Sequence, residues 1–332
     1  MITRIRRGRA AVAALGLALA AALTACGDSS EPASPPAAAG TGGSAGYPVN
    51  VTNCGRTLHF DAAPQRIISG WPTSTDLLVE LDLADRVVGR YNTSSGDPAP
   101  TYAAAVKDIP VLAEAAPSRE QLLAAKPDLI WADGSYLFDG QQLPTIDDLN
   151  ARGIQVLILS GFCTDDATRA KVTDVQTDLA ALGKIFGITD RTGKLSGDLD
   201  ARLAAVDAKT KGTQAVPVAM ISTYDGSIYT YEGVYTDIAQ RAGARNIYAG
   251  TLPTGQYYGE LSKEQILKDD PATLVYLLSG GESEQTARKF LTDALPTLSA
   301  VRSGKIVFLP QWDSTNLGGV QGVETLAAAL HP

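Results

Sequence analysis

Histidine is nearly missing from this chain: His59 and the penultimate His331 are the only two in 332 residues. There are three cysteines and two methionines, and 6% of the residues are aromatic. So little imidazole and thiol leaves most zinc-hydrolase, Ser-His and Cys-His schemes short of parts. Basic side chains are outnumbered, 28 Lys and Arg against 36 Asp and Glu, which argues against nucleic acid, whose phosphates demand a basic surface. The apolar run from Ala10 to Leu23 covers about 21 Å as a helix, short of the ~30 Å hydrocarbon core of a bilayer. What the chain does have is 45% hydrophobic residues, enough for real cores, and a length that fits two domains of roughly 100–200 residues.

The first 25 residues read as an export signal. Arg4, Arg6, Arg7 and Arg9 precede the apolar run, the pattern of a signal peptide rather than a permanent span. Leu23-Thr24-Ala25-Cys26-Gly27 then resembles the bacterial lipobox, in which the cysteine is lipidated and becomes the first mature residue. An ordinary secretory cleavage with Cys26 incidental is the alternative. Removing residues 1–25 takes four arginines and no acidic residue, leaving 24 basic against 36 acidic side chains. Residues 26–46 carry Pro, Gly, Ser and Ala beyond the cysteine and no large apolar side chain, so they form a flexible tether. The expectation is a folded body, 47–332, anchored by lipid on the extracytoplasmic side of a membrane, with no covalent group other than that lipid. Cys54 and Cys163 remain. In an oxidising compartment an even pair invites a bridge, worth about 4–5 kcal/mol for a loop of ~100 residues on the chain-entropy model. Two separate buried thiols are the other reading.

Val49 and Val51, then Leu58 and Phe60, alternate around Asn53-Cys54-Gly55-Arg56, an opening hairpin. Beyond Pro64 short apolar runs at 66–69, 86–91, 129–131 and 155–159 alternate with helical patterns near 74–83, 118–126 and 143–152. The alternation resumes at 216–222, 246–248, 274–278 and 305–309, with helices near 234–242, 262–269, 286–294 and 319–330. Strand alternating with helix predicts an α/β fold of two lobes, each a parallel sheet flanked by helices. Between them lies a strand-free stretch in which Leu195, Leu199, Leu203 and Val206 recur at helical spacing behind Thr189, a candidate cap. A single helix over 188–211 would join an N-terminal lobe (47–187) to a C-terminal lobe (212–332) as a stiff strut. Only small lobe movements on binding then follow.

The halves echo each other. Ser118-Arg119-Glu120-Gln121-Leu122-Leu123 stands nine residues before the end of its motif at Pro127, and Leu129-Ile130-Trp131 follows. Ser262-Lys263-Glu264-Gln265-Ile266-Leu267 stands the same distance before Pro271, and Leu274-Val275-Tyr276 follows. Each is a helix opened by a capping box, a proline stop and a buried strand. Glu120 and Glu264 could be there only to complement the helix dipole.

Together these segments resemble the substrate-binding lipoproteins of ABC importers for ferric siderophores, haem and cobalamin. The resemblance covers nearly all of 47–332. Its carriers include Pro64-Gln65-Arg66-Ile67-Ile68-Ser69, Asp76-Leu77-Leu78, Leu83-Ala84-Asp85-Arg86-Val87-Val88-Gly89 and Ile109-Pro110-Val111-Leu112. Lys126-Pro127-Asp128-Leu129-Ile130 and Gly183-Lys184-Ile185-Phe186-Gly187 complete the set. The resemblance implies two lobes on one rigid helix, a monomer, and an ABC permease as partner. It also implies that Glu120 and Glu264, one per lobe, pair with arginines of that permease.

Ligands of open parallel sheets sit at the carboxyl ends of strands. The loops there offer Trp71, then Arg90, Tyr91 and Asn92, then Tyr136 in the first half. The second half offers Tyr224, Tyr229, Tyr231, Tyr257, Tyr258 and Trp312. Tyr and Trp give stacking area with a hydrogen-bonding end, suited to a bulky, partly polar ligand. Trp71, Arg90, Tyr91, Tyr136, Tyr224, Tyr258 and Trp312 are the candidate ligand-binding residues, Arg90 being the one obvious cation for an anionic or iron-hydroxamate ligand. No metal ligands are expected, since neither histidine has a partner. Iron already wrapped in a siderophore needs none. The resemblance, through the family's commonest job, implies a ferric siderophore as the expected ligand, with cobalamin or another large tetrapyrrole-like cofactor as the alternative.

Catalysis is not expected. Gly42-Gly43-Ser44-Ala45-Gly46 spells a serine-hydrolase motif but lies in the tether, without the strand and helix that a nucleophile elbow needs. Asp147-Asp148 and Asp165-Asp166 read as solvated helix starts. A metal-assisted hydrolase built from distant carboxylates is the more distant alternative.

Overall fold

The computed structural model describes residues 46–163 and 167–332, apart from the side chains of Trp312 and Asp313. The lipobox cysteine Cys26, the tether and the pair Asp165-Asp166 lie outside the described residues. So does the hydrolase-like motif but for Gly46.

The chain opens with the antiparallel hairpin β1 (Val49–Asn53) and β2 (Arg56–Phe60), in register Val49 to Phe60. Cys54 and Gly55 both take positive φ, 51° and 72°, as a two-residue turn matching the strand twist requires. Val51, Leu58 and Phe60 face inward while Asn50, Thr52, Thr57 and His59 face solvent. The N-terminal lobe follows as β3 (Ile67–Ser69), α1 (Pro72–Glu80), β4 (Val87–Arg90), α2 (Ala103–Val106), α3 (Arg119–Ala124), β5 (Leu129–Ala132), α4 (Ile146–Asn150) and β6 (Gln155–Ile158). Its four strands are all parallel, in the order β4-β3-β5-β6. The hairpin covers the free edge of β6. The side-chain amide of Asn53 donates to Ile158 O and its Oδ1 accepts from Ile158 N, both at 2.8 Å, so a side chain completes the ladder and blocks edge pairing. Cys54 and Cys163 stand beside this junction with their Cα atoms 4.6 Å apart. The strand before Cys163 is thus an edge strand rather than a central one.

Helix α5 (Asp174–Phe186) ends at Gly187 and turns directly into α6 (Thr189–Thr210). Its 22 residues span about 33 Å. Thr189 is the first helical residue rather than the cap, which is Ile188 without a side-chain bond. Gly183 of α5 lies against Thr192, where any side chain would collide with the hydroxyl, and this close approach locks the two helices together. Leu199, Leu203 and Val206 are buried. Arg191 binds the N-terminal lobe, donating to Leu81 O at 2.7 Å and pairing with Asp82 at 2.5 Å.

The C-terminal lobe comprises β7 (Val216–Tyr224), β8 (Ser227–Tyr231), α7 (Val234–Arg241), β9 (Ala244–Asn246), β10 (Tyr258–Leu261), α8 (Lys263–Asp269), β11 (Leu274–Leu278), α9 (Glu284–Ala294), α10 (Ser299–Ser303), β12 (Ile306–Pro310) and α11 (Asn316–Leu330). Its sheet runs β10-β8-β7-β11-β12, and β9 pairs with the first residues of β7. Strands β9, β7, β11 and β12 are parallel. β8 is antiparallel to both neighbours, so Tyr229 and Tyr231 lie in a strand, not in a loop after one. Arg202 of α6 grips Glu324 of α11 with two bonds, Nε to Oε1 at 2.8 Å and Nη2 to Oε2 at 2.6 Å. The strut is thereby tied to both lobes.

One core runs beneath both lobes. It joins Leu77 and Leu78 of α1, Trp131 of β5, Leu203 of α6, Val275 of β11 and Val323 of α11. The alternate residues of the same strands face outward into a separate core for each lobe, Ile130 and Ala132 against Leu122 and Leu149, and Leu274 and Tyr276 against Ile266 and Leu291. A strand buried on both faces in this way reads as a continuous apolar run. A buried link supports the junction: Asp237 of α7 accepts from Val172 N at 2.9 Å, ahead of α5.

The two echo units differ in one bond. Ser118 accepts from Gln121 N while Gln121 Oε1 accepts from Ser118 N at 2.8 Å, a complete capping box. Ser262 accepts from Gln265 N at 3.1 Å, but Gln265 turns its amide to Asp269 instead, leaving the second box half made. Asp147 and Asp148 do occupy a helix start, with Thr145 accepting from Asp148 N at 3.1 Å.

Candidate ligand-binding site

A cavity of about 720 Å³ lies between the lobes, within the usual range for a small-molecule site. The N-terminal wall comes from three strand ends. Trp71 follows β3 and precedes Pro72, the first residue of α1; Asp133, Gly134, Ser135 and Tyr136 follow β5; Phe162 follows β6. The C-terminal wall is Tyr235 of α7, Tyr257 and Tyr258 at the entry to β10, and Gln311, Ser314 and Thr315 after β12.

The tyrosines interlock. Tyr231 and Tyr235 have ring centroids 5.0 Å apart, Tyr257 lies 6.1 Å from Tyr231 and 6.0 Å from Tyr235, and Phe162 meets Tyr257 edge-on at 6.1 Å. Their hydroxyls are placed by neighbours: Tyr235 donates to Gln311 O at 2.8 Å and Gln311 donates to Tyr231 Oη at 2.9 Å. Burial pushes the Tyr235 phenol up to about 12 and raises Tyr231 and Tyr257 as well. The cluster therefore stays protonated at neutral pH, a set of uncharged donors on a large apolar area.

On the opposite wall, Tyr136 folds back over Gly134, whose missing side chain makes room for the ring, and donates to Asp133 Oδ2 at 2.8 Å. Burial raises the Asp133 carboxyl to about 6 against the pull of that hydrogen bond. Among the described residues, no three His, Cys, Asp or Glu side chains converge on a point where an ion could sit.

Three of the sequence candidates line the cavity: Trp71, Tyr136 and Tyr258. Arg90 does not; it lines a small separate hollow with Thr75 and Val106, and its Nε donates to Ile109 O at 3.4 Å. Its strand, β4, is the edge strand away from β5 and β6, so the loop leaving it misses the cleft. Tyr91 is buried, its hydroxyl filling the space a side chain on Gly70 would occupy; it supports the wall from behind. Tyr224, 73% exposed, sits at the tip of the β7–β8 hairpin. The Trp312 side chain lies outside the described residues. Asp133, Phe162, Tyr235 and Gln311 escaped the sequence reading. For Asp133 the signal was available, since it directly follows the apolar run that becomes β5. Glu120 and Glu264 are both exposed in the first turns of α3 and α8. Hydrogen bonds from its own backbone and from Ser118 hold the Glu120 carboxyl below the usual range.

Residues 67–312 match the family model described as periplasmic binding protein. The chain belongs to this family. Periplasmic binding proteins of ABC importers capture solutes outside the cytoplasm and work with a permease. Among curated family members, a cobalamin-binding protein of Halobacterium salinarum is 25% identical over 313 residues, covering 91% of this chain and 79% of its own. An uncharacterised ABC transporter substrate-binding lipoprotein of Bacillus subtilis, YvrC, is 24% identical over 294 residues, 86% of each chain. The solved structure of an ABC-type Fe3+-hydroxamate transport system from Saccharomonospora viridis superposes with a TM-score of 0.67 at 26% identity, covering 86% of this chain and all of that one. No helix of the described residues is long and apolar enough to cross a membrane.

Proposed function

We propose that this periplasmic binding protein is the lipid-anchored receptor of an ABC importer for a bulky metal chelate, a ferric hydroxamate siderophore in the first reading. The observation that carries it is the cavity itself: aromatic on both walls, edged with neutral hydroxyl donors, and large enough for a chelate that brings its own metal ligands. The similarity to the Fe3+-hydroxamate transport system of Saccharomonospora viridis supports that reading. A corrinoid is the second reading, supported by the cobalamin-binding relative; its ring and peripheral amides suit the same donors. Cys26 carries the lipid, the adjacent Cys54 and Cys163 form a disulfide, and Glu120 and Glu264 dock a monomeric receptor on its permease. The ligand leaves chemically unchanged.

Tryptophan fluorescence tests this. Trp71 lines the cavity while Trp131 is fully buried in the shared core. Titration of the protein in detergent with ferric hydroxamates, cyanocobalamin and haemin should give saturable quenching by one class, much reduced in Trp71→Phe. Quenching by cyanocobalamin alone moves the corrinoid to first place. Silence across all of them overturns the chelate reading.

A further inference from the structure

Charge is unevenly placed around the cavity. Among the described lining side chains, Asp133 is the one with a formal charge, and no Lys, Arg or His lines the space. Arg90 lines its own separate hollow.

The Asp133 carboxylate is half satisfied. Tyr136 donates to Oδ2, while Oδ1 is buried and accepts no hydrogen bond among the described residues. A buried acceptor without a donor is costly, and a ligand that supplies the donor removes that cost. Tyr136, 62% exposed, is the cover such a ligand would push aside or slip beside. We propose that Asp133 makes this cleft select by charge, admitting chelates that present an ammonium or N–H donors to it and rejecting chelates with pendant carboxylate, propionate or catecholate charge.

The inference rests on the chelate-receptor reading above and narrows it to neutral or cationic ligands. An anion beside an ionised carboxylate in a partly desolvated cleft is repelled, and no basic side chain among the described lining residues offsets the repulsion. The titratable groups facing Asp133 are Tyr136, from the same loop, and Tyr91, from the end of β4; burial raises both phenols, so neither competes for its charge at neutral pH. With its carboxyl near 6, Asp133 is charged at pH 7.5 and largely neutral at pH 5.

The test uses one iron trihydroxamate with three pendant groups. Ferrioxamine B carries a terminal ammonium, its N-acetyl derivative is neutral, and its N-succinyl derivative is anionic. Cyanocobalamin and its monocarboxylic acid form a parallel pair. At pH 7.5 the cationic or neutral member should bind at least about tenfold tighter than the anionic one, with the difference shrinking to about twofold at pH 5 and in Asp133→Asn. If Asp133→Asn does not fold by circular dichroism, the wild-type comparison at the two pH values decides alone. An anionic member that binds as tightly as its partner overturns the charge selection and leaves the receptor reading intact. Failure of both series to bind overturns the chelate reading and this inference with it.

Discussion

The two lobes face one cavity but build their walls differently. The N-terminal lobe uses an all-parallel sheet and delivers its wall from the carboxyl ends of β3, β5 and β6. The C-terminal lobe takes much of its wall from outside the parallel strands, from α7 and from the entry to β10. The antiparallel pair β8 and β10 brings Tyr231 beside Tyr258, and the tyrosine cluster grows on that platform. The N-terminal wall carries the charge, and the C-terminal wall carries the interlocked tyrosines. A duplicated plan thus supplies position, while the residues added to one copy supply chemistry.

Removing the proposed disulfide between the hairpin and the segment after β6 should have the largest effect and confine it to the N-terminal lobe. Cys54→Ser with Cys163→Ser is expected to cost about 4 kcal/mol for a loop of this length, with faster hydrogen exchange in β1, β2 and β6 and little change in β11 and β12. Equal acceleration in both sheets would mean that the lobes unfold as one body. The walls can be compared next. Tyr257→Ala removes a ring that touches four others and should weaken chelate binding by more than tenfold, whereas Tyr136→Ala, whose ring is mostly exposed, should cost only a few-fold by the same titration. Tyr224→Ala should leave affinity unchanged.

Titration separates the lobes again. Among the described residues, the carboxyls that burial raises, Asp133, Asp174 and Asp178, all precede the strut. Asp178 goes to about 7, its burial outweighing the bonds from Ser160 N and Oγ. A raised carboxyl favours the protonated folded state, so its contribution to stability is present below about pH 4 and is lost as pH rises through 7. Asp178→Asn should therefore flatten the decline of Tm between pH 5 and 8 while keeping an acceptor for Ser160. The smallest difference is in the helix starts. Ser118→Ala breaks a complete capping box and Ser262→Ala half of one, so the first should cost about 1 kcal/mol and the second less by thermal denaturation.

Much of this architecture was legible from sequence because each lobe repeats the same local instruction: a serine cap, a proline stop and an apolar run too short for a helix. The strut was legible from Leu199, Leu203 and Val206 on one face. β8 was not, since Ser227-Ile228-Tyr229-Thr230-Tyr231 mixes polar and aromatic residues like a loop. Its signal lay in Asp225-Gly226, a turn pair that closes hairpins, with φ of 48° and 79° here. The site was legible where a loop leaves a strand near the middle of the sheet, as at Trp71 and Tyr136. It failed at Arg90 and Tyr91 because sequence order does not reveal spatial order, and β4 follows β3 in the chain yet lies at the sheet edge. Tyr235 was hidden in a helix whose apolar face pointed it inward.

The strut bears on how cargo is announced. Arg191 fastens α6 to one lobe and Arg202 to the other, over a core that both lobes share. A clamp held this way has little room to swing, so an empty receptor and a full one present nearly the same outline. The importer would then have to sense loading through the surface of the cargo at the cleft mouth, or through a small tilt between the two glutamates proposed to dock on it.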